Sequence, residues 1–323
     1  MKAIVHDEYG TTDVLRLEDG EKPIIGENDL LVRVRAASLN PYDWHLRTGK
    51  PYLFRLFFGL RKPKQRGIGA DLAGEVEAVG AGVTRFRPGD EVIAELEAGA
   101  LAEYAAVPEG SAARKPANLT FEQAAAVPMG GLTALQALRD KGGIQPGQTV
   151  LINGSSGGVG TFAVPIAKSF GAEVTAVCST RNVELVRSLG ADHVIDYTRE
   201  DFTRGDERYD LMLDNVGNHS VTACRRVLTP KAVRVATFGS PEHKWLGPLA
   251  AMARMAVVSL FVGQKMIPFS AKVRPEDLET LTEMVEKGTI TPVIDRTYGL
   301  ADTAEAMDYL DEGHARGKVV ITI

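Results

Sequence analysis

The segment that most constrains the fold is a short apolar strand, Val150-Leu151-Ile152-Asn153. It runs directly into Gly154-Ser155-Ser156-Gly157-Gly158-Val159-Gly160 and then into Thr161-Phe162-Ala163-Val164-Pro165-Ile166-Ala167-Lys168. Glycine frees the backbone for a tight turn and lets a helix N-terminus present bare N–H groups and its positive dipole end to an anion. A glycine loop alone is a weak signal. Here it follows a strand and opens a helix within a unit of about thirty residues, so it reads as a pyrophosphate cradle. Apolar strands are expected at Thr149–Ile152, Val174–Cys178, Val194–Asp196, Leu211–Asp214 and Val233–Thr237, with helical stretches between the earlier ones. That alternation implies an α/β unit whose parallel sheet is covered on both faces. Pro165 is the irregular residue, tolerable in a first helical turn and costly farther in.

The flanking sequence has another texture. From Leu30 to Ala37, Leu31, Arg33 and Arg35 alternate with Leu30, Val32, Val34 and Ala36, the period of a half-buried strand. Further short strands are expected at Ala73–Val79 and Glu91–Ala94, separated by the turn chemistry of Gly80-Ala81-Gly82 and Pro88-Gly89-Asp90. Thr120-Phe121-Glu122-Gln123 is a capping-box pattern that opens an Ala-rich helix, and a second helix is expected over Thr133–Lys141. The chain closes with amphipathic helices at Pro275–Lys287 and Thr303–Glu312 and an apolar strand, Lys318–Ile323.

Composition narrows the function classes. A length of 323 residues suggests about two domains, and 44% hydrophobic with 24% charged residues is ordinary for a globular chain. The net charge of -5 provides no basic field for a phosphate backbone, so nucleic acid is not an expected partner. Cys178 and Cys224 have no second Cys or His at ligand spacing, so neither a disulfide framework nor a zinc ribbon is readable. The first residues do not form a signal peptide and no apolar run reaches the ~18 residues of a spanning helix. The expected location is the cytoplasm.

Which dinucleotide the loop takes depends on the end of the next strand, about twenty residues on, where a carboxylate would bind the adenosine ribose hydroxyls. That place holds Ser179, followed by Thr180 and Arg181. No acid is there to repel a 2′-phosphate, and Arg181 offers a cationic fork for one. The alternative is that Arg181 only starts a solvated helix. NADP is expected over NAD.

With the loop read, the whole chain resembles the quinone-oxidoreductase branch of the medium-chain dehydrogenase/reductase superfamily. The matching segments are Ala37–Trp44, Gly69–Val76, Arg87–Val92, Gly131–Ala134, Asn153–Gly160, Leu189–Tyr197 and Gly317–Val320, in the family's order. The resemblance implies a GroES-like β-rich catalytic domain, residues 1–127 and 268–323, around a Rossmann NADP-binding domain, 128–267, with the active site in the cleft. In the zinc alcohol dehydrogenases of that superfamily the metal ligands would stand at Asn40, Ala70 and Met129. An amide, a methyl group and a thioether are poor zinc donors, so metal-free hydride transfer is expected, and the resemblance implies a quinone or α,β-unsaturated carbonyl as the acceptor.

The resemblance places Asn40, Tyr42 and Asp43 around the substrate, where Asn40 and the Tyr42 hydroxyl would donate to an enolate or hydroquinone oxygen. It adds Tyr52 as a substrate-lining aromatic. For the cofactor it implies His45 near the nicotinamide ribose and Thr133 on the nicotinamide side. Ser156, Gly157, Gly158 and Val159 would meet the pyrophosphate, Ser179 and Arg181 the 2′-phosphate, and Tyr197 the adenosine, with Asn218, Phe238, Gly239 and Lys318 also contributing. Asp43 bracing a loop, and His45 as a packed side chain, are the plainer alternatives.

Two apolar runs stand apart, 52–64 with basic flanks and 249–262, rich in Ala, Met, Val and Leu. They read as domain packing or a homodimer interface, or else as a greasy mouth for an apolar acceptor with a transient membrane contact. Two rival functions remain: a zinc-type alcohol dehydrogenase, and a non-catalytic protein that binds NADPH as a sensed ligand.

Overall fold

A computed structural model of the chain describes residues 1–237 and 262–323. Phe238, Gly239 and the apolar run 249–262, except its last residue, lie outside the described residues. Seven strands come first: β1 (Lys2–Val5), β2 (Arg16–Asp19), β3 (Asp29–Leu39), β4 (Asp71–Val79), β5 (Glu91–Glu95), β6 (Tyr104–Pro108) and β7 (Ala112–Arg114). Next are β8 (Thr149–Asn153), β9 (Glu173–Cys178), β10 (His193–Asp196), β11 (Tyr209–Asp214), β12 (Leu228–Thr237) and β13 (Lys265–Phe269). The last two are β14 (Ile294–Gly299) and β15 (Lys318–Thr322).

The chain divides into two compact units, Thr133–Lys272 and a unit built from both chain ends, Met1–Leu132 with Val273–Ile323. These divisions fall five residues beyond those expected at 127/128 and 267/268, and the first lies inside the helix Pro128–Gln136. Sequence texture marks where an element type changes, whereas units are separated by which residues pack together.

In the unit of both chain ends, the larger sheet runs β14-β15-β3-β4-β5-β7, with β6 also paired to β3. Strand β3 explains why it folds this way. Leu30, Val32, Val34 and Ala36 are buried while Arg33 and Arg35 face water, as their alternation requires. Leu30, Val32 and Val34 pack with Leu72, Val92, Val107, Val319 and Ile321, each of these side chains contributing about 1.5–3 kcal/mol on burial. The helix Phe121–Ala125 begins as expected, Thr120 Oγ1 accepting from Gln123 N and Gln123 Oε1 from Thr120 N. Such a cap stabilises by about 1 kcal/mol.

The other unit is a six-stranded parallel sheet in the order β10-β9-β8-β11-β12-β13. Numbered within the unit, that order is 3-2-1-4-5-6, the doubly wound arrangement in which the winding reverses between β8 and β11. Its inner strands are buried almost throughout, including Val150, Leu151, Ile152, Val174, Leu211 and Leu213. The helix Gly160–Ser169 passes through Pro165 without a break, on its buried side.

Candidate active site

The glycine loop emerges from β8 at the reversal point, where the strand ends diverge and ligands collect in doubly wound sheets. Its glycines differ in what they do. Gly154 adopts φ +79°, and a Cβ at Gly160 would stand 2.2 Å from the Gly154 carbonyl oxygen, so both are required by the turn itself. Gly157 has no such neighbour, its nearest atom being 3.7 Å away. Nothing among the described residues demands glycine at 157, but a phosphate brought against the backbone there would. Asn153 ends β8 and donates to Asp214 Oδ1 (2.9 Å) and Asn218 Oδ1 (3.0 Å), tying Asn218 to the reversal point. Burial pushes the Asp214 carboxyl up, but the Arg234 guanidinium at 2.5 Å and the Gly217 N–H hold it below the usual range.

At the end of β9, Asn182 links two residues of the expected cofactor site, its Nδ2 donating to Ser156 Oγ (2.9 Å) and Ser179 Oγ (3.3 Å). Asn182 is buried and its Oδ1 has no partner. The end of β10 brings an acid into this region, Asp196. Its oxygens accept from Thr180 Oγ1 (2.5 Å) and from Thr198 N and Oγ1 (3.0 and 2.7 Å). Both oxygens therefore already have donors, which lowers their appetite for ribose hydroxyls. Tyr197 is exposed, as an adenosine platform must be.

The unit of both chain ends holds a buried polar row created by strand register. Ser38 of β3 is opposite Asp71 of β4, Asp71 is opposite Glu95 of β5, and Val319 of β15 is opposite Leu39. Lys318, Asn40, Asp71 and Glu95 thus meet at one end of four adjacent strands. Asp71 Oδ2 accepts from Lys318 Nζ (3.1 Å), Asn40 Nδ2 (3.0 Å) and Ser38 Oγ (3.2 Å), while Asp71 Oδ1 accepts from Met129 N (3.0 Å). Lys318 also donates to Asn40 Oδ1, and the second Asn40 amide contact is the Ser38 carbonyl at 3.3 Å. The Asn40 amide is therefore engaged within the protein on both atoms.

Asn40 and Asp43 open the helix Pro41–Thr48, Asp43 Oδ2 accepting from Asn40 N at 2.7 Å. The other Asp43 oxygen is buried with no hydrogen-bond partner among the described residues. Burial, with the negative charge of Asp71, pushes Asp43 up to about 7 against the pull of the Asn40 N–H. Glu95, missed in the sequence, is pushed up to about 8 by burial and then by Asp71, Lys318 opposing. Burial, aided by Asp43, Glu97 and Glu95, raises the Tyr42 phenol, so at neutral pH it is a donor.

Tyr42 walls a cavity of about 170 Å³ together with Leu46, Phe57, Phe58, Pro63 and Glu97. A dry cavity near 150 Å³ accepts a benzene ring, so there is room for one ring. Tyr52 is not among its walls, and lies under the Arg55 guanidinium, 4.7 Å from ring centre to charge. His45 is packed edge-on against Trp44 and Phe54, its Nδ1 2.7 Å from the Lys50 carbonyl, and burial lowers its proton affinity. Thr133 is half-buried in the helix Pro128–Gln136. The residues at the three zinc-ligand places do not suit the metal. Ala70 offers a methyl group, Met129 contributes a backbone N–H to Asp71, and Asn40 faces a buried ammonium where a divalent cation would need electron pairs.

A doubly wound sheet in this strand order with a glycine loop at its reversal, in a chain whose two ends build a β-rich unit, defines a two-domain dinucleotide-binding oxidoreductase. Residues 26–117 match the alcohol dehydrogenase GroES-like domain and residues 189–321 the zinc-binding dehydrogenase domain. The chain is 36% identical to the mitochondrial NAD(P)H oxidoreductase RTN4IP1 of Mus musculus over 100% of its own length and 89% of the relative's. It is 35% identical to the chloroplastic NADPH-dependent alkenal/one oxidoreductase of Arabidopsis thaliana over 99% of this chain and 79% of that one. Among solved structures, the quinone oxidoreductase from Coxiella burnetii superposes with a TM-score of 0.86 at 30% identity, covering 100% of this chain and 99% of that one. The chain belongs to the medium-chain dehydrogenase/reductase family, in its quinone oxidoreductase-like branch. None of the three zinc-ligand places lies in the stretch matching the zinc-binding domain, so that match says nothing of the metal.

Proposed function

We propose that the protein reduces a quinone or an α,β-unsaturated carbonyl with NADPH, without a metal ion. The observation that carries this reading is the buried Asn40–Asp71–Lys318 row at the zinc position, in a chain whose cofactor loop keeps an open cradle at Gly157. Relatives that use NADPH on alkenals and enones support it.

Bound NADPH supplies the hydride. The backbone of Ser156, Gly157, Gly158 and Val159, with the start of the helix Gly160–Ser169, holds the pyrophosphate. Ser179 and Arg181 take the 2′-phosphate, Tyr197 the adenosine, and Thr133 and Asn218 the nicotinamide half. Tyr42 donates its phenolic proton to a hydrogen bond on the acceptor oxygen, where negative charge gathers as the hydride arrives. Asn40, whose amide is already bonded, serves with Asp43 and Lys318 to position Tyr42's helix rather than to touch substrate. Tyr52 supports the cavity through Arg55. A homodimer in the cytoplasm completes the proposal. Among the described residues no helix is long and apolar enough to cross a membrane.

The test is NADPH oxidation over a panel of ortho-quinones, enones and simple alcohols or aldehydes, with metal content measured on the same sample. Turnover of quinones or enones by metal-free protein is expected. Stoichiometric tightly bound zinc with alcohol turnover would establish the alcohol dehydrogenase instead, and NADPH binding without turnover would leave a sensor.

A further inference from the structure

Seven large apolar side chains are exposed among the described residues, and three of them, Leu56 (58%), Phe57 (69%) and Leu60 (68%), fall within five consecutive positions. Single exposed apolar residues need no explanation, but a cluster of this kind marks a contact surface. Leu56 and Phe57 lie on the short helix Arg55–Phe58, and the turn that follows closes with Lys64 N donating to the Phe58 carbonyl at 2.7 Å. The segment is held from below. Arg55 lies over the rings of Tyr9 and Tyr52 and donates to Gly49 O, and the Tyr9 hydroxyl donates to Gly59 O at 2.7 Å.

The rim of this patch is cationic. Arg61, Lys62 and Lys64 are exposed, and no ion pair among the described residues involves them, whereas the neighbouring Arg66 is paired with Asp7 and Glu18. A local excess of positive charge in a chain of net charge -5 runs against the overall trend. Apolar side chains flanked by unpaired Lys and Arg complement an anionic lipid surface, the apolar groups entering among the acyl chains and the cations meeting the headgroups. A second copy is a poorer fit, because a two-fold contact would bring this cationic rim against itself. Phe57, Phe58, Pro63 and Lys64 also wall the Tyr42 cavity, so the patch and the cavity share residues.

We propose that the segment Arg55–Lys64 docks the protein on an anionic membrane surface, from which a lipophilic acceptor enters the cavity walled by Tyr42, Phe57 and Phe58. The delivery of an acceptor rests on the function proposed above; the docking does not.

The experiment is co-sedimentation of the full chain with vesicles of phosphatidylcholine alone and of phosphatidylcholine containing one-third phosphatidylserine. Binding to the anionic vesicles, weakened by salt, is expected. Each Lys or Arg near an anionic leaflet is worth roughly a fivefold gain in partitioning, so Arg61→Gln/Lys62→Gln should lose about 25-fold. Leu56→Ser/Leu60→Ser should lose at least about tenfold through reduced insertion. Both variants should oxidise NADPH with a water-soluble quinone at the unaltered rate. Equal binding to the two vesicle types, or partitioning unchanged in either variant, overturns the docking. So does a dimer that Leu56→Ser/Leu60→Ser splits in sedimentation without any vesicle binding, since the face then joins two copies. Vesicle binding as expected with no quinone or enone reduced upholds the docking and removes the catalytic reading.

Discussion

Replacing Lys318 by Met removes the cation from the buried polar row while keeping most of its volume. The Lys318 and Asp71 side chains are 2% and 0% exposed, so the carboxylate left behind cannot recruit water as a surface group would. Breaking a buried pair by deleting one partner costs about 3–5 kcal/mol. Asp71 would keep Ser38 Oγ, Asn40 Nδ2 and Met129 N as donors, which places the loss near the lower end, about 3 kcal/mol. Asn40 Oδ1 loses a donor as well, adding about 1 kcal/mol. For a unit of roughly 150–250 residues, the combined loss of about 4 kcal/mol corresponds to a fall of about 8–16 °C in the melting transition. Trp44 lies in the affected unit and Trp245 in the other stretch of chain, so fluorescence in a Trp245→Phe background follows the relevant transition even if the two units melt separately. The double variant Asp71→Asn/Lys318→Met, which removes both charges, should recover more than half of the loss. A deficit under about 1 kcal/mol, or no recovery in the double variant, would refute the reasoning. A folded Lys318→Met protein with tenfold weaker NADPH binding would show instead that this lysine is a cofactor ligand, the role its sequence motif first implied.

Gly157→Ala should leave the melting temperature within a degree or two yet weaken NADPH binding at least tenfold by calorimetry, because an added Cβ meets nothing nearer than 3.7 Å among the described residues. Retained affinity would remove the cradle. Arg181→Ala should weaken NADPH at least tenfold more than NADH, as expected for loss of a charge-assisted contact to the 2′-phosphate, and equal losses would sink that assignment. Glu95, normally near 4.5, is raised to about 8, so between those values the folded state keeps a proton that the unfolded chain has released. Stability therefore falls as pH rises from about 4.5 to 8, and Glu95→Gln should flatten this fall, gaining at least about 1.4 kcal/mol at pH 9 and nothing at pH 4. Identical pH profiles of urea denaturation for the two proteins would contradict it.

The elements and the class of fold are legible along the chain, because these depend on short periods. Alternation placed β3, the capping box placed the helix at Phe121, and the strand–glycine–helix run placed the glycine loop between β8 and the helix that follows it. The tertiary structure decided what the polar residues do. Lys318 and Asn40 are separated by 278 positions, and only the pairing of β15 with β3 brings them together. No local pattern signals Glu95 or Asp71 as partners, since each stands just outside the strand expected from the sequence and acquires its neighbours from strand register. The same register turned Asn40 from an expected substrate donor into an engaged amide, and packing of the run after Thr48 put Phe57 and Phe58, rather than Tyr52, on the cavity wall. A local period records which face is buried; which charges meet on that face depends on strands the chain brings together from distant positions.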